Sequence, residues 1–264
     1  MKVFISADIE GTAGIADWNE AKKGNQDYEY FKKQMTAEVK AAVQGALEAG
    51  ASEITVRDAH GSARNIDPSL LPEGVRLLRG WARDPFMMMQ GIDSSFGAVV
   101  FTGYHSPSGK ARNPLSHTMT GDIYYLKINN KLISEFELNA MSASYHGVPV
   151  VFISGDEGIV QIAKQNVPGI QTVSTNIGSG ASVDSIHPAK AVKLIEEGVY
   201  NAVKNIGVQP VSIPAEFEVE IAYIEHTLAH KLSFFPGVTK KDDRVLTFRD
   251  QDYYEVLRKL LFLL

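Results

Sequence analysis

The sequence of 264 residues contains no cysteine. Disulfide bonds, a cysteine nucleophile and thiolate metal ligands are therefore excluded, and we expect a cytoplasmic protein. An excess of positive charge is also missing, because the formal net charge is −5. This charge argues against nucleic acid or an anionic membrane as the main partner.

Long apolar runs are absent as well. No apolar stretch follows a basic segment near the first residue, so we expect no signal peptide. The longest apolar run, LLFLL at 260–264, is far too short to span a bilayer. The composition is otherwise that of an ordinary globular protein, with 44% hydrophobic and 22% charged residues. One large α/β domain or two smaller domains fit this length.

Alternating strand and helix patterns predict an α/β fold with a mostly parallel sheet flanked by helices. KVFISA at 2–7 and SEITVRDA at 52–59 are typical of buried strands, and a helical pattern over 28–49 separates them. This order is a βαβ unit, which places the two strands parallel. GAVVFTGYH at 97–105 is a near-continuous apolar run, as expected of a strand covered on both faces. DIYYLKINNKLIS at 122–134 predicts a hairpin that turns at two asparagines.

A Pro-rich segment at 208–216, VQPVSIPAE, marks a change of pattern. We predict that residues 1–207 form a metal-binding α/β core. Residues 208–264 would form a smaller C-terminal lobe with β-strands, packed on the core or at a subunit interface. NIGSGAS at 176–182 is rich in glycine and serine but lacks the spacing of a phosphate-binding loop, so we interpret it as a turn or flexible segment.

Three of the predicted parallel strands end in Asp, Glu or His side chains. They are Asp8 and Glu10 after the first strand, Asp58 and His60 at the second, and His105 at the third. Each motif alone is more typical of a loop or a helix cap. In open α/β sheets, however, ligands bind outside the carboxyl ends of the strands, where these side chains would meet. Imidazole and carboxylate without thiolate suit Zn²⁺, Mn²⁺, Co²⁺ or Fe²⁺, and so many donors favour two ions over one.

Five longer sequence motifs follow one another along the chain. They are SADIEGTAGI at 6–15, RDAHGSARN at 57–65, FTGYHS at 101–106, SHTM at 116–119 and SEFELNA at 134–140. Together they resemble the D-aminopeptidase family of dizinc metallopeptidases, over about residues 1–200. The resemblance implies an enzyme that uses metal-activated water to remove the N-terminal residue, a D-amino acid, from short peptides. It also implies a homo-oligomeric ring, such as a decamer, that encloses the active sites.

The resemblance assigns roles to six residues. It implies five metal ligands, with Asp8 bridging two zinc ions, Glu10 and His60 completing one ligand set, and His105 and Glu135 completing the other. His117 matches the catalytic histidine of the family and would act as a proton shuttle.

Residues close to two of the proposed ligands have local roles of their own. Ser134 can cap a helix with Glu137 as its capping-box partner, which leaves Glu135 free to be a ligand. Asp58 can orient His60 by accepting a hydrogen bond from its ring, or it can cap a turn, and both alternatives stay open.

Other functions fit parts of the same pattern. A peptidase specific for L-residues or another two-metal amidohydrolase would use the same chemistry. A two-metal phosphoesterase would need basic groups beside the metals, and Arg57, Arg64 and Arg112 lie near the motifs. A non-catalytic α/β assembly protein is disfavoured, because all five proposed ligands and His117 are present.

Overall fold

The computed structural model describes residues 1–264, which form twelve strands, seven helices and two short 3₁₀ turns. The strands are β1 (Lys2–Ala7), β2 (Glu53–Asp58), β3 (Arg76–Leu78), β4 (Phe96–Tyr104), β5 (Ile123–Ile128), β6 (Lys131–Leu132), β7 (Val150–Asp156), β8 (Gln171–Ser179), β9 (Ser182–Ser185), β10 (Phe217–Tyr223), β11 (Thr239–Lys240) and β12 (Val245–Asp250). The helices are α1 (Trp18–Ala21), α2 (Tyr28–Glu48), α3 (Glu135–Tyr145), α4 (Glu157–Asn166), α5 (Pro188–Lys204), α6 (His226–Leu232) and α7 (Tyr253–Leu263). The 3₁₀ turns are Pro68–Leu70 and Met87–Met89.

The larger sheet has seven strands in the order β3-β2-β1-β4-β7-β8-β9. All neighbours in it are parallel except β9, which runs antiparallel to β8. Its central strands are apolar and fully buried, because helices cover both faces of a parallel sheet. The predicted α/β class with a mostly parallel, helix-flanked sheet is therefore confirmed.

Only part of the segment NIGSGAS, predicted to be a turn or flexible segment, forms a turn. Residues 176–179 belong to β8 and residue 182 to β9, and the turn is confined to residues 180–181. The first part of the segment is held in a strand because Asn176 pairs with Asp156 of β7 and is itself buried. Composition alone carries no information about such a neighbour.

A smaller antiparallel sheet has the order β11-β12-β10-β5-β6. Its hairpin β5–β6 turns at Asn129 and Asn130, which have φ angles of 51° and 63° as the sequence predicts. Helix α7 buries its apolar side chains in the separate core of this sheet. The hairpin pairs with β10, so strands from before and after residue 207 share this sheet. The division of the chain at that residue stays a prediction.

None of the helices is both long enough and apolar enough to cross a membrane.

Candidate metal centre and active site

The carboxyl ends of β2, β1 and β4 lie side by side. In the register of the sheet, Ala7 of β1 pairs with Asp58 on one side and with Thr102 on the other. The residues that follow each strand therefore emerge at the same edge of the sheet. The structure brings five side chains together there: Asp8, Glu10, His60, His105 and Glu135. Four of them are buried, and the side chain of His60 is 11% exposed.

The chain turns immediately after β1. Extended backbone as far as residue 10 is not found, because Thr12 donates its N–H to the carbonyl of Ile9 at 2.9 Å and closes a turn. Ile9 is fully buried, and Asp8 and Glu10 on either side of it both face the sheet edge. The shared direction of Asp8 and Glu10 therefore arises from a turn and not from a strand.

Two glycines allow the ends of β1 and β4 to approach this closely. The N–H of Asp8 donates to Thr102 and the N–H of Gly11 donates to Gly103, both at 2.8 Å. A Cβ on Gly103 would overlap the carbonyl oxygen of Asp8, and one on Gly11 would overlap that of Tyr104. Gly103 also has a φ of +68°, which disfavours other residues. The glycines thus set the distance between the side chains that follow.

Asp8 lies between the two histidines. Its Oδ1 is 3.2 Å from Nδ1 of His60, and its Oδ2 is 3.5 Å from Nε2 of His105. Glu10 faces the first histidine, with Oε2 at 3.0 Å from Nδ1, and Glu135 faces the second, with Oε2 at 3.3 Å from Nε2. One carboxylate with an oxygen toward each of two His–Glu pairs is the arrangement expected of a bridging ligand.

The far side of each histidine ring contacts a backbone carbonyl. Nε2 of His60 lies 2.8 Å from the oxygen of Ala21, and Nδ1 of His105 lies 3.0 Å from that of Ser106. A ring N–H that donates to the carbonyl leaves the opposite nitrogen as a lone pair toward the cluster, as metal-binding histidines require.

Asp58 does not contact the ring of His60. Its carboxylate accepts hydrogen bonds from the backbone N–H groups of Asn65 and Ile66, at 2.6 and 2.8 Å, and from the side chain of Asn65. Of the two alternatives for Asp58, the structure shows the turn cap. The group that orients His60 is the backbone carbonyl of Ala21. A backbone carbonyl is present at every residue, so the sequence could not have predicted this partner.

Opposite charges within the cluster shift the pKa values of its members. Burial raises the pKa of Asp8, but the facing imidazoles of His105 and His60 outweigh burial and hold that pKa well below its usual range. Burial lowers the pKa of His60, but the facing carboxylates of Glu10 and Asp8 raise it well above its usual value. The same holds for the pKa of His105, with Glu135 as the largest opposing charge.

The donor set fits zinc. The facing atoms Oε2 of Glu10 and Nε2 of His105 are buried, and neither has a partner in hydrogen-bond geometry. Orphaned buried polar atoms are costly unless something else satisfies them. Two groups of three residues have donor atoms within 4.8 Å of one another: Asp8, Glu10 and His105, and His105, His117 and Glu135. Carboxylate and imidazole donors in such groups suit Zn²⁺.

His117 lies at the rim of this centre, half-buried. Its ring stacks on His105 with centroids 4.3 Å apart, and the edge of Trp18 packs against it at 5.2 Å. Nδ1 lies 2.9 Å from the carbonyl oxygen of Leu115, while Nε2 lies 3.9 Å from Glu10 and 3.7 Å from Glu135. The ring is therefore fixed with Nε2 toward the carboxylates.

Glu135 occupies the first turn of α3. Ser134 and Glu137 form the predicted capping box, with hydrogen bonds of 3.2 and 2.9 Å between side chain and backbone. Glu135 is left free to face the centre, and its Oε1 accepts the N–H of Met119 at 2.6 Å. This bond ties the His117 loop to the helix.

The loop that carries Glu10 is held by four side chains that sequence reasoning missed. Asn113, Thr175 and Asn176 donate hydrogen bonds to the backbone carbonyls of Glu10, Gly11 and Thr12, respectively. Asn176 and Glu38 accept hydrogen bonds from the backbone N–H groups of Gly14 and Ala13, respectively. All four are buried. Glu38 lies in α2, Thr175 and Asn176 lie in β8, and Asn113 lies in a loop, and their residue types alone do not reveal these partners.

The centre lies between two cavities. The larger, of about 790 Å³, extends past Glu10 and Trp18 toward the β5 side. The smaller, of about 300 Å³, has Asp8 and Glu135 in its wall. His60 and His117 line both cavities. A substrate at the centre can therefore extend in two directions.

Two of the three arginines near the motifs are already engaged. Arg57 is fully buried, donates to the carbonyl of Gly80 at 2.6 Å and stacks on Trp81 at 4.4 Å. Arg112 lies 3.6 Å from the carboxylate of Glu157. Neither lines the two cavities, and Arg64 does not line them either. None of these three arginines therefore supplies the basic group that a phosphoesterase would need beside the metals.

Comparison with known proteins agrees with this geometry. The sequence model of a family described as D-aminopeptidase matches residues 1–262. A D-aminopeptidase of Bacillus subtilis (strain 168) is 29% identical over 266 residues, which covers 99% of this chain and 96% of the relative. The solved structure of the Zn-dependent D-aminopeptidase DppA from Bacillus subtilis, a self-compartmentalizing protease, has a TM-score of 0.93 at 28% identity and covers 100% of this chain and 96% of that chain. The resemblance seen in the five motifs is confirmed: the chain belongs to the D-aminopeptidase family.

Proposed function

We propose that this protein is a zinc-dependent aminopeptidase that hydrolyses the first peptide bond of short peptides. The observation that carries the proposal is the position of Asp8, with one carboxylate oxygen toward His60 and the other toward His105. Family membership and the name of the structural neighbour support the same activity.

Two zinc ions per chain are proposed. Asp8 would be shared by both, Glu10 and His60 would complete the ligands of one, and His105 and Glu135 those of the other. Zinc bound there would polarise a peptide carbonyl and lower the pKa of bound water to about 7.

His117 is proposed as the acid and base of the reaction. Donation from Nδ1–H to the carbonyl of Leu115 leaves Nε2 to accept a proton on the side of the centre and to return it to the leaving amine. Stacking on His105 keeps the ring in this orientation throughout.

Two narrower properties are proposed from the relatives, and a third from the sequence. A preference for an N-terminal D-residue is proposed because both similar proteins are D-aminopeptidases. Assembly into a ring, such as a decamer, is proposed because the structural neighbour is self-compartmentalizing, and the 76% exposed Phe234 supports it as an apolar contact. A cytoplasmic location stays a prediction from the lack of cysteine.

A substrate panel tests the function. The zinc-supplied protein should hydrolyse D-alanyl-amide faster than L-alanyl-amide and should leave a generic phosphate ester intact. Metal analysis should give close to two zinc ions per chain. Faster cleavage of the L-amide would overturn the stereochemical proposal alone. Turnover of only the phosphate ester, or no bound metal after zinc is supplied, would contradict the aminopeptidase itself.

A further inference from the structure

The smaller cavity is lined by both polar and apolar side chains. Among them are Asp8 and Glu135 of the centre, and the apolar residues Met88, Leu260 and Leu261. Its volume of about 300 Å³ is at the lower end of the range for small-molecule sites. A peptide bond at the centre could therefore place only a short remainder of the substrate in this cavity.

Arg83 is the cation of this cavity. The segment around it is fixed: Trp81 stacks on Arg57 and donates Nε1–H to the carbonyl of Gly61 at 2.7 Å, and Asp84 accepts the N–H of Phe86 at 2.9 Å. Arg83 itself is exposed, and its guanidinium forms neither a salt bridge nor a hydrogen bond with the protein. A segment held by these contacts thus places an unpaired arginine in the lining of the cavity.

Backbone strain is concentrated around the same cavity. Six residues other than glycine have positive φ angles, and three of them line it: Arg83 at 60°, Met87 at 47° and Met119 at 64°. Such conformations persist only where the surroundings enforce them, and they cluster at ligand sites. The backbone of Arg83 therefore has a conformation that is typical of residues at ligand sites.

The larger cavity offers a different kind of cation. Lys22 and Lys23 line it, and the ammonium group of Lys22 already lies 5.3 Å from the centre of the Trp18 ring. An ammonium on a flexible stem is a point charge, whereas the planar fork of arginine matches both oxygens of a carboxylate. Arg83 also shares its cavity with the apolar residues Met88, Leu260 and Leu261, which lower the local dielectric constant and so strengthen a charge pair.

We infer that Arg83 is a specificity-determining residue that binds the free α-carboxylate of a dipeptide whose leaving residue occupies the smaller cavity. This inference rests on the proposed function and narrows its substrate class to peptides that end one residue beyond the cleaved bond. The carboxylate, once paired, holds the leaving residue inside this cavity. The N-terminal residue then extends toward the larger cavity.

The test compares alanyl-alanine with its C-terminal amide, both in the enantiomer that the wild-type enzyme cleaves. We expect the wild type to prefer the free acid in kcat/KM by about tenfold to a hundredfold, the factor that a charge-assisted bond supplies. Arg83→Gln should lose that preference and keep the amide rate, because the residue is exposed and outside the metal centre. Arg83→Lys should retain only part of it. Lys22→Gln tests the cation of the other cavity and should keep the preference for the free acid.

Binding provides a second measurement. Calorimetry with a dipeptide analogue whose peptide bond is reduced to an amine should show the same loss of affinity in Arg83→Gln, with no loss for the amidated analogue. Equal rates of acid and amide in the wild type, or loss of the preference in Lys22→Gln instead, would overturn the inference while leaving the aminopeptidase intact. Absence of cleavage of every peptide and amide would instead contradict the proposed function, and the calorimetry would still decide the role of Arg83.

Discussion

At the scale of single residues, His117 is the first to test, because it can be read as a proton shuttle or as a metal ligand. Its Nε2 faces the carboxylates, but its donor atom also groups with His105 and Glu135. We expect His117→Ala to lower kcat by about 10²–10⁴-fold, since a positioned acid and base contributes that much. Zinc content should stay unchanged.

Kinetics and metal analysis of the same preparation check this prediction. His226→Ala is the control, since His226 is an exposed histidine on α6 away from the centre. Loss of one zinc ion per chain in His117→Ala would show that His117 is a metal ligand. Turnover equal to that of the wild type would contradict its role as acid and base.

Glu38 makes a prediction about pH and stability. Burial raises its pKa from 4.5 to about 7, against hydrogen bonds from Ala13 and Gln34 that lower it. Because the folded-state pKa is the higher one, the contribution of Glu38 to stability is complete below pH 4.5 and is lost as pH rises through 7. The loss amounts to about 3 kcal/mol.

Glu38→Gln should abolish this loss, since the amide cannot ionise. The free energy of unfolding of the variant should therefore rise relative to wild type between pH 5 and pH 8, as measured by urea denaturation. Glu48→Gln changes an exposed residue of the same helix and should give a constant difference. A constant difference for Glu38→Gln as well would contradict the assignment.

At the scale of elements, the junction of β1 and β4 depends on Gly103. Gly103→Ala should destabilise the protein by more than the roughly 1–2 kcal/mol that a positive φ costs an alanine, because its Cβ also overlaps the backbone of Asp8. Zinc affinity should fall with it, since Asp8 must move.

Gly180→Ala isolates the effect of the backbone angle. Gly180 has a φ of +57° and open space around its Cβ position, so this variant should lose stability modestly and bind zinc normally. Thermal unfolding and zinc titration of both variants measure the difference. Equal losses would mean that close approach to Asp8 is unimportant.

Elements whose signals are local were predictable from the sequence. The βαβ unit, the Asn129–Asn130 turn and the Ser134–Glu137 capping box all depend on residues within one element or its immediate neighbours. The contacts that were missed join residues far apart in the chain. Ala21 and His60 are separated by 39 positions, and Asn176 and Thr12 by 164. Such partners are fixed by packing, and the residue types alone do not reveal them.

At the scale of the whole molecule, metal binding should be linked to stability. Three buried carboxylates converge at one sheet edge, and a ligand that binds only the folded state stabilises it by about 2.7 kcal/mol at a hundred times its dissociation constant. For a chain of this size we expect zinc to raise the melting temperature by about 5 °C or more.

Calorimetry with chelated and zinc-supplied protein checks this. Far-ultraviolet circular dichroism at 25 °C should be the same in both, because the loop of Glu10 is held by side chains without the metal. Magnesium at the same concentration is the control ion, and a melting temperature that ignores zinc would contradict a metal centre in this cluster.

The hairpin β5–β6 has a consequence for how this chain can recombine with its relatives. It lies between His117 and Glu135 in the sequence, yet its outer partner is β10, with Ile128 opposite Val219. A crossover that exchanged only the C-terminal strands would pair this hairpin with a β10 from the other parent. A poor fit there would disturb the segment that joins His117 to Glu135. Viable chimaeras should therefore inherit the hairpin and the last three strands from the same parent.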